Sequence, residues 1–272
     1  MIISHHSVSR KKCFDLCQQQ YKYRYHLKLE RPGEEPFYFV YGTIVHKIAE
    51  LYVENRGEIP IGDLAKDVLR GKIEIEEGQA CPSLPDEYQK KLQKHLRAIQ
   101  NLTEKIGVDG LVEWKFHYDL DPPNNKCVTG FIDRLIVKND KAFIIDYKTT
   151  KKGKWRVNKQ TVTEDLQLRM YARVVAREFG IKAENIKAAL FYLEGEELVA
   201  AQFTEESLLQ VEEEMKRSFF RIELSDADKV WGNVGWHCKT CDYATMCPFY
   251  TGQNKGPSWD GNLDNHGGGW ES

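Results

Sequence analysis

Residues 130–150 read GFIDRLIVKNDKAFIIDYKTT and place charged side chains inside two largely apolar runs. The runs are rich in β-branched and aromatic residues and are separated by KNDK, which predicts a β-hairpin. If the central Asn-Asp pair forms a two-residue loop, Asp133 lies directly opposite Asp146. Side chains alternate with a period of two along a strand, so Lys148 shares the face of Asp146. The hairpin therefore gathers two carboxylates and an ammonium group.

Two carboxylates this close repel each other, and a divalent cation between them would offset the repulsion. Hard oxygen ligands favour Mg²⁺ or Mn²⁺. Lys148 is then placed to stabilise developing negative charge, or to orient or deprotonate a water. If the preceding DPPNN loop is symmetric, Glu113 also faces Asp133, although a bulge in this longer loop would change that register. The alternative is a pair of polar strand ends without an ion, but the apolar residues on both faces argue against an exposed edge.

The rest of the chain alternates helical and strand patterns. A meander of three strands ends with the hairpin, and a second hairpin is predicted at 186–204. Helices are predicted at 7–29, 39–57, 85–107, 164–180 and 205–224, with a short one after 62. This order predicts an α/β fold with a mixed central sheet flanked by helices. The segment 251–272 is rich in Gly, Asn and Asp without apolar periodicity, which predicts a disordered tail.

The formal net charge is −2, so nucleic-acid binding has to come from a local basic patch. Such a patch follows the hairpin, where basic residues surround an aromatic ring, as is typical of single-stranded DNA binding without sequence specificity. Its predicted DNA-binding residues are Lys151, Lys152, Lys154, Trp155 and Arg156. The chain starts without a signal-length apolar segment, and no apolar run is long enough for a membrane span. We therefore expect a cytoplasmic, intracellular protein that is neither secreted nor bound to a membrane.

Three cysteines near the end of the chain form a C-x2-C-x5-C pattern at Cys238, Cys241 and Cys247. In a cytosolic chain such cysteines are more often metal ligands than disulfide partners. A fourth ligand is available near the start, at Cys17 or Cys13. Cys₄ sites hold Zn²⁺ or an iron–sulfur cluster, and the spacing does not choose between them.

The segments GTIVHKIAE, GFIDRLIV, IIDYKTT and QLRMYA, in this order, resemble the RecB-like branch of the PD-(D/E)XK nuclease superfamily. That branch includes the RecB and AddB nuclease domains and the CRISPR-associated RecB-like exonucleases. The resemblance implies a restriction-endonuclease-like core over residues 1–250. The residues that match the family pattern are His46, Gly130, Asp133, Asp146, Lys148, Gln167 and Tyr171.

The resemblance also implies a role for each matching residue. The metal, Mg²⁺ or Mn²⁺, would be held by His46, Asp133, Asp146 and the carbonyl group of Tyr147. Lys148 would be the catalytic lysine beside the two aspartates. The DNA or its scissile phosphate would be positioned by two residues of the helix after the basic patch, Gln167 and Tyr171.

Some members of the family hold a [4Fe–4S] cluster with one cysteine near the start of the chain and three near its end. The match implies Cys17, Cys238, Cys241 and Cys247 as ligands, with Cys13 as the alternative fourth ligand and Zn²⁺ as the alternative metal. Gln18 replaces the usual proline after the first ligand. The four-cysteine cluster would join the chain ends in a subdomain made of residues 7–30 and 231–250.

The expected function is that of a metal-dependent DNA exonuclease acting on single-stranded ends in recombination, repair or replication. The chain contains no helicase P-loop, so a helicase or recombination protein is an expected partner. The alternative is a partner-dependent nuclease, or a DNA-binding subunit of a helicase–nuclease or CRISPR spacer-acquisition complex.

Overall fold

The computed structural model describes residues 3–32, 36–150 and 156–250. The predicted disordered tail and most of the predicted basic patch lie outside the described residues. The chain divides into two compact units. We call Pro36–Met215 the central unit, and Met1–Glu35 with Lys216–Ser272 the terminal unit.

The terminal unit begins with a two-residue strand, β1 (His5–His6), and two helices, α1 (Val8–Leu16) and α2 (Gln18–Tyr21), followed by a π-helical turn at Lys22–His26. The prediction of one continuous helix over 7–29 was wrong. The helix breaks at Cys17, whose φ of −161° and ψ of 111° are extended rather than helical. The break separates the Cys17 side chain from the helical repeat and turns it toward the cavity described below.

The helices of the central unit are α3 (Phe37–Glu54), α4 (Ile61–Leu69), α5 (Asp86–Ile106) and α6 (Leu166–Phe179). Helix α7 (Glu205–Leu224) starts in this unit and ends in the terminal one. Buried apolar residues of α3, α4 and α5 form one core cluster with side chains of the sheet, including Ile145 and Tyr147. Because Tyr147 points into this core, its neighbours in the strand, Asp146 and Lys148, point to the other face.

The sheet of the central unit contains β2 (Leu111–Asp121), β3 (Lys126–Lys138), β4 (Lys141–Lys148), β5 (Ile186–Tyr192) and β6 (Glu197–Gln202). These strands pair in the order β2-β3-β4-β5-β6. The pairing of β4 with β5 is parallel and the other three pairings are antiparallel. The predicted α/β fold with a mixed sheet and flanking helices is thus confirmed.

The loop between β3 and β4 fixes their register. Asn139 and Asp140 have φ angles of 49° and 56°, the left-handed values of a two-residue hairpin turn. The ladder from this turn ends with Arg134 paired to Ile145, so the next residues along each strand are Asp133 and Asp146. The predicted register is therefore the one the hairpin adopts.

The hairpin of β2 and β3 brings Glu113 to the same place. Val112 pairs with Arg134 and Trp114 pairs with Ile132, which puts Glu113 opposite Asp133. The register shift in this hairpin lies near its loop, between Asp119 and Asp121, and does not reach the site.

Within the described ranges, no helix combines the length and apolar character needed to cross a membrane.

Candidate active site

His46, Glu113 and Asp133 converge where α3 lies beside β2 and β3. His46 Nδ1 is 3.4 Å from Asp133 Oδ2 and 3.8 Å from Glu113 Oε1. One potential ligand atom from each side chain lies within 4.8 Å of the other two. Among the described residues, this is the group of histidine, cysteine and acidic side chains close enough to share one metal ion.

The charge of His46 reflects its two acidic neighbours. Burial alone would lower the pKa of His46, but the carboxylates of Asp133 and Glu113 raise it well above its usual value. The protonated ring donates from Nε2 to the Tyr147 carbonyl oxygen at 3.1 Å. An imidazolium charge thus lies between two carboxylates, at a position that also suits a metal cation.

Asp133 is held by the backbone of the neighbouring strand. The N–H group of Tyr147 donates to Asp133 Oδ2 at 2.7 Å. Burial tends to raise the pKa of Asp133, but His46, followed by Lys148, holds it below its usual value. Asp133 is therefore ionised, and its orientation is set by the strand that carries the D-x-K triplet.

Asp146 and Lys148 form a close ion pair, with 2.5 Å between Lys148 Nζ and Asp146 Oδ2. Burial raises the pKa of Asp146 to about 6 although Lys148 opposes the shift. Burial would lower the pKa of Lys148, but the Asp146 carboxylate raises it above its usual value. Asp146 thus contacts the lysine, while Glu113 occupies a place in the histidine–carboxylate group. The role of Asp146 as a metal ligand stays a prediction.

Helix α6 contributes two side chains, Gln167 and Tyr171, to a hydrogen-bonded chain that starts at Lys148. The helix is capped by Asp165, whose Oδ1 accepts from the Leu168 N–H at 2.9 Å. Lys148 Nζ donates to Gln167 Oε1 at 3.3 Å, and Gln167 Nε2 donates to the Tyr171 hydroxyl oxygen at 2.7 Å. Burial, and then the Asp146 carboxylate, raise the pKa of Tyr171 well above its usual value. The Tyr171 hydroxyl therefore stays protonated and can donate its own hydrogen.

An open cleft of about 440 Å³ gives access to this group. Its lining includes His46 and Glu113, together with Thr43, Lys47 and Glu50. The cleft is large enough for part of a substrate to reach the candidate metal ligands.

A protein-family model described as the PD-(D/E)XK nuclease superfamily matches residues 5–248. The chain belongs to this nuclease superfamily. The family consists of nucleases that depend on divalent metals, and His46, Glu113 and Asp133 are the candidate metal ligands of this nuclease.

Comparison with solved structures adds a similar fold. The crystal structure of a "Putative exonuclease" from Eubacterium rectale covers 89% of the nuclease and 88% of its own chain, with 16% identity and a TM-score of 0.52. The crystal structure of SSO0001 covers 85% of the nuclease and 93% of its own chain, with 15% identity and a TM-score of 0.36, too low for a comparison of folds. A search of curated proteins finds no match.

Of the five residues in the predicted DNA-binding patch, the structure describes Arg156. Arg156 forms an ion pair with Glu197 at 3.0 Å, and its guanidinium carbon lies 3.4 Å from the centre of the Tyr192 ring. These contacts tie Arg156 to the sheet of the nuclease. The other four residues, Lys151, Lys152, Lys154 and Trp155, lie outside the described residues.

The predicted cluster cysteines of the nuclease line one cavity in the terminal unit: Cys17, Cys238, Cys241 and Cys247. Cys13 is not among the residues that line it. Burial raises the pKa of Cys241 to about 11, and backbone N–H groups of Gln20 and Asn233 oppose a rise at Cys17 that is also due to burial. These four thiols therefore face a common space, and backbone N–H groups lie close to the Cys17 thiol.

Proposed function

We propose that the nuclease is a Mg²⁺- or Mn²⁺-dependent deoxyribonuclease of the RecB-like branch that hydrolyses phosphodiester bonds at single-stranded DNA ends. The observation that carries this proposal is the convergence of His46, Glu113 and Asp133 beside the Asp146–Lys148 ion pair, with His46 and Glu113 lining an open cleft. Ionised carboxylates and a lysine held by one of them suit metal-assisted phosphoryl transfer to water.

The donor set fits a hard divalent cation. It offers one imidazole nitrogen, two carboxylates and the nearby Tyr147 carbonyl group, and oxygen-rich sets of this kind favour Mg²⁺ or Mn²⁺. When bound, such an ion would act as a Lewis acid and lower the pKa of a water that it holds. Asp146 is the remaining predicted ligand, and in this structure it forms an ion pair with Lys148.

The protein's own groups would then act on the scissile phosphate. Lys148 is positioned by Asp146 and Gln167, and its ammonium group would stabilise the negative charge that develops on the phosphate. Tyr171 accepts from Gln167, so its own hydroxyl hydrogen can be donated to a phosphate oxygen. Gln167 thereby couples the position of the lysine to that of the tyrosine.

The preference for single-stranded ends and the place in recombination, repair or replication depend on the RecB-like resemblance. The basic, aromatic patch after Lys148 supports single-strand binding through charge and stacking. The name of the Eubacterium rectale neighbour supports action at ends.

A digestion of 5′- and 3′-labelled single- and double-stranded DNA with Mg²⁺ or Mn²⁺ tests this function. The proposal expects metal-dependent shortening of single strands from one end. Internal cuts would refute the exonuclease assignment. Binding of DNA without cleavage under either metal would favour the alternative of a nuclease that needs a partner protein.

We further propose that Cys17, Cys238, Cys241 and Cys247 hold a [4Fe–4S] cluster. The support is that these four described thiols line one cavity, together with the RecB-like resemblance. Such a cluster would staple together segments more than 200 residues apart in sequence. A zinc ion on the same thiols is the alternative.

The metal content and the absorbance near 400 nm of anaerobically purified protein test the cluster. Cys17→Ser and Cys13→Ser form a matched pair. Loss of iron and colour in the first variant and their retention in the second are expected. Zinc without iron in the wild type would refute the cluster, and loss of iron from the Cys13→Ser variant alone would reassign the fourth ligand.

A further inference from the structure

Phe131 is an exposed aromatic residue in the middle of a long strand. It lies in β3 between Gly130 and the buried Ile132, and its relative exposure is 50%. Single exposed apolar residues are common on protein surfaces, so the neighbours of Phe131 decide whether its ring can serve a ligand.

Its position relative to the candidate metal ligands is defined by the strand. Phe131 precedes Asp133 by two residues along β3, so their Cα atoms are about 7 Å apart. Ile132 between them is completely buried, whereas the Phe131 ring is exposed. The exposed ring thus lies one cross-strand pair away from the metal-binding carboxylates.

A lysine accompanies the ring. Lys115 of β2 pairs with Phe131 across the strands, and its ammonium nitrogen lies 5.9 Å from the ring centre. Along β2, Lys115 follows Glu113 by two residues, so the two strands place a Lys–Phe pair next to the Glu–Asp pair. The next pair, His117 and Thr129, is also open to solvent, which keeps this face accessible.

We propose that Phe131 and Lys115 form a nucleotide subsite, in which the ring stacks on an unpaired base next to the scissile phosphate and the lysine contacts the backbone. The assignment rests on the proposed nuclease function. The occupant is single-stranded DNA, because a base in a duplex is already stacked on its neighbours and cannot lie flat on a side chain. Exposed aromatic rings with adjacent cations are the common elements of single-strand binding surfaces.

The opposite face of the same hairpin makes a poor alternative. Phe116 and Tyr118 of β2 are buried there, and Phe116 contacts the ring of Tyr171. Phe131 and Lys115 therefore face away from α6, on the side of the sheet where Glu113 and residues of α3 line the open cleft. A strand of DNA that leaves the cleft can reach them there.

Binding of a fluorescein-labelled single-stranded oligonucleotide, followed by fluorescence anisotropy in a Lys148→Ala background with Mg²⁺, tests the subsite. Phe131→Ala should weaken binding about five- to a hundredfold, the range of one base–aromatic stack. Phe131→Leu should behave like the alanine variant, while Phe131→Trp should keep the affinity, because only the ring matters. The matched control is Val137→Ala, an exposed apolar residue toward the other end of β3.

A second comparison uses substrates with one abasic position, moved stepwise along the strand. One position near the cut should weaken binding to the otherwise wild-type protein and cause no further loss in Phe131→Ala. Equal affinity of Phe131→Ala and its parent, or additive losses at every abasic position, would overturn the subsite. Equal weakening of duplex and single-strand binding would overturn the assignment to an unpaired base.

The outcomes separate this inference from the proposed function. If protein with Lys148 intact cleaves DNA but Phe131→Ala retains full affinity, the subsite fails and the nuclease function stands. If that protein neither binds nor cleaves DNA, the proposed function fails, and the inference fails with it.

Discussion

The backbone N–H of Tyr147 donates a hydrogen bond to the Asp133 carboxylate at 2.7 Å, at the point where the β3–β4 ladder ends. At this position a hydrogen bond from the backbone to a side chain takes the place of the next backbone–backbone hydrogen bond between the strands. It fixes a candidate metal ligand to the residue that separates Asp146 from Lys148. The position of the metal group and the position of the lysine are therefore set by the same stretch of backbone.

This bond separates two roles of Asp133 that two substitutions can distinguish. Asp133→Asn keeps an oxygen acceptor for the Tyr147 N–H but loses the charge, while Asp133→Ala loses both. We expect both variants to lose Mn²⁺ binding and cleavage. Asp133→Ala should be about 1–3 kcal/mol less stable than Asp133→Asn, because only the alanine leaves a part-buried donor unpaired. Urea unfolding with parallel Mn²⁺ titrations measures both effects, and equal stability of the two variants would contradict the structural role.

Glu113 is expected to contribute to metal affinity although it lies outside the D-x-K triplet. Its carboxylate is 3.8 Å from the ring of His46, within the group that can share an ion. Glu113→Gln should raise the Mn²⁺ concentration needed for half-maximal cleavage about ten- to a hundredfold, comparable to the loss of a supporting group at a metal site. Asp119→Asn, on the same strand but outside the described group, is the control. An unchanged metal requirement in Glu113→Gln would exclude this carboxylate from the site.

Tyr171 and Gln167 should affect the chemical step more than the fold. Tyr171→Phe removes the hydroxyl that Gln167 contacts and that can donate to a phosphate. We expect kcat to fall about tenfold or more, with a smaller change in KM and an unfolding midpoint near that of the wild type. Tyr192→Phe is a control, since its hydroxyl bonds to the Val157 carbonyl group instead. A loss of stability that accounts for the whole effect would leave Tyr171 with a structural role only.

The buried His6 side chain of the terminal unit should make the unfolding free energy depend on pH. Its Nε2 is 2.8 Å from the Ser218 hydroxyl, its Nδ1 has no hydrogen-bond partner among the described residues, and burial lowers its pKa to about 3. The unfolded chain therefore binds a proton below about pH 6.5 that the folded chain excludes, so the unfolding free energy falls as the pH falls. The His6 contribution to that fall should be about 2 kcal/mol between about pH 7 and 5. His6→Gln should flatten this slope and His5→Gln should not; identical slopes in His6→Gln and wild type would contradict the account.

The hairpin geometry could be predicted because turns and side-chain alternation fix strand register. The Asn139–Asp140 turn allows one register, and the Asp133–Asp146 placement follows from it. The same reasoning places Glu113 opposite Asp133, although the longer loop made this pairing the less certain expectation. Two-residue periodicity thus carries most of the information about the candidate site.

Other features depend on tertiary contacts that leave no local pattern. Asp146 contacts Lys148, and not the histidine–carboxylate group, because of distances between side chains. Alternation along the strands cannot predict these distances. Arg134 is completely buried in β3, where it donates to the Gly107 and Asp109 carbonyl groups. Backbone acceptors are present at every position of a sequence, so nothing in the residue pattern marks these two. The helix break at Cys17 also has no glycine or proline to mark it in the sequence.

The most direct test of the account compares Mn²⁺-dependent digestion of end-labelled single-stranded DNA by wild type, Lys148→Ala and Asp146→Asn. Both variants keep the His46–Glu113–Asp133 group, and circular dichroism checks that both remain folded. The account predicts cleavage by the wild type and a loss of at least about a hundredfold in each variant. Wild-type rates in a folded Lys148→Ala protein would contradict the claim that this ion pair and the neighbouring metal group form one active site.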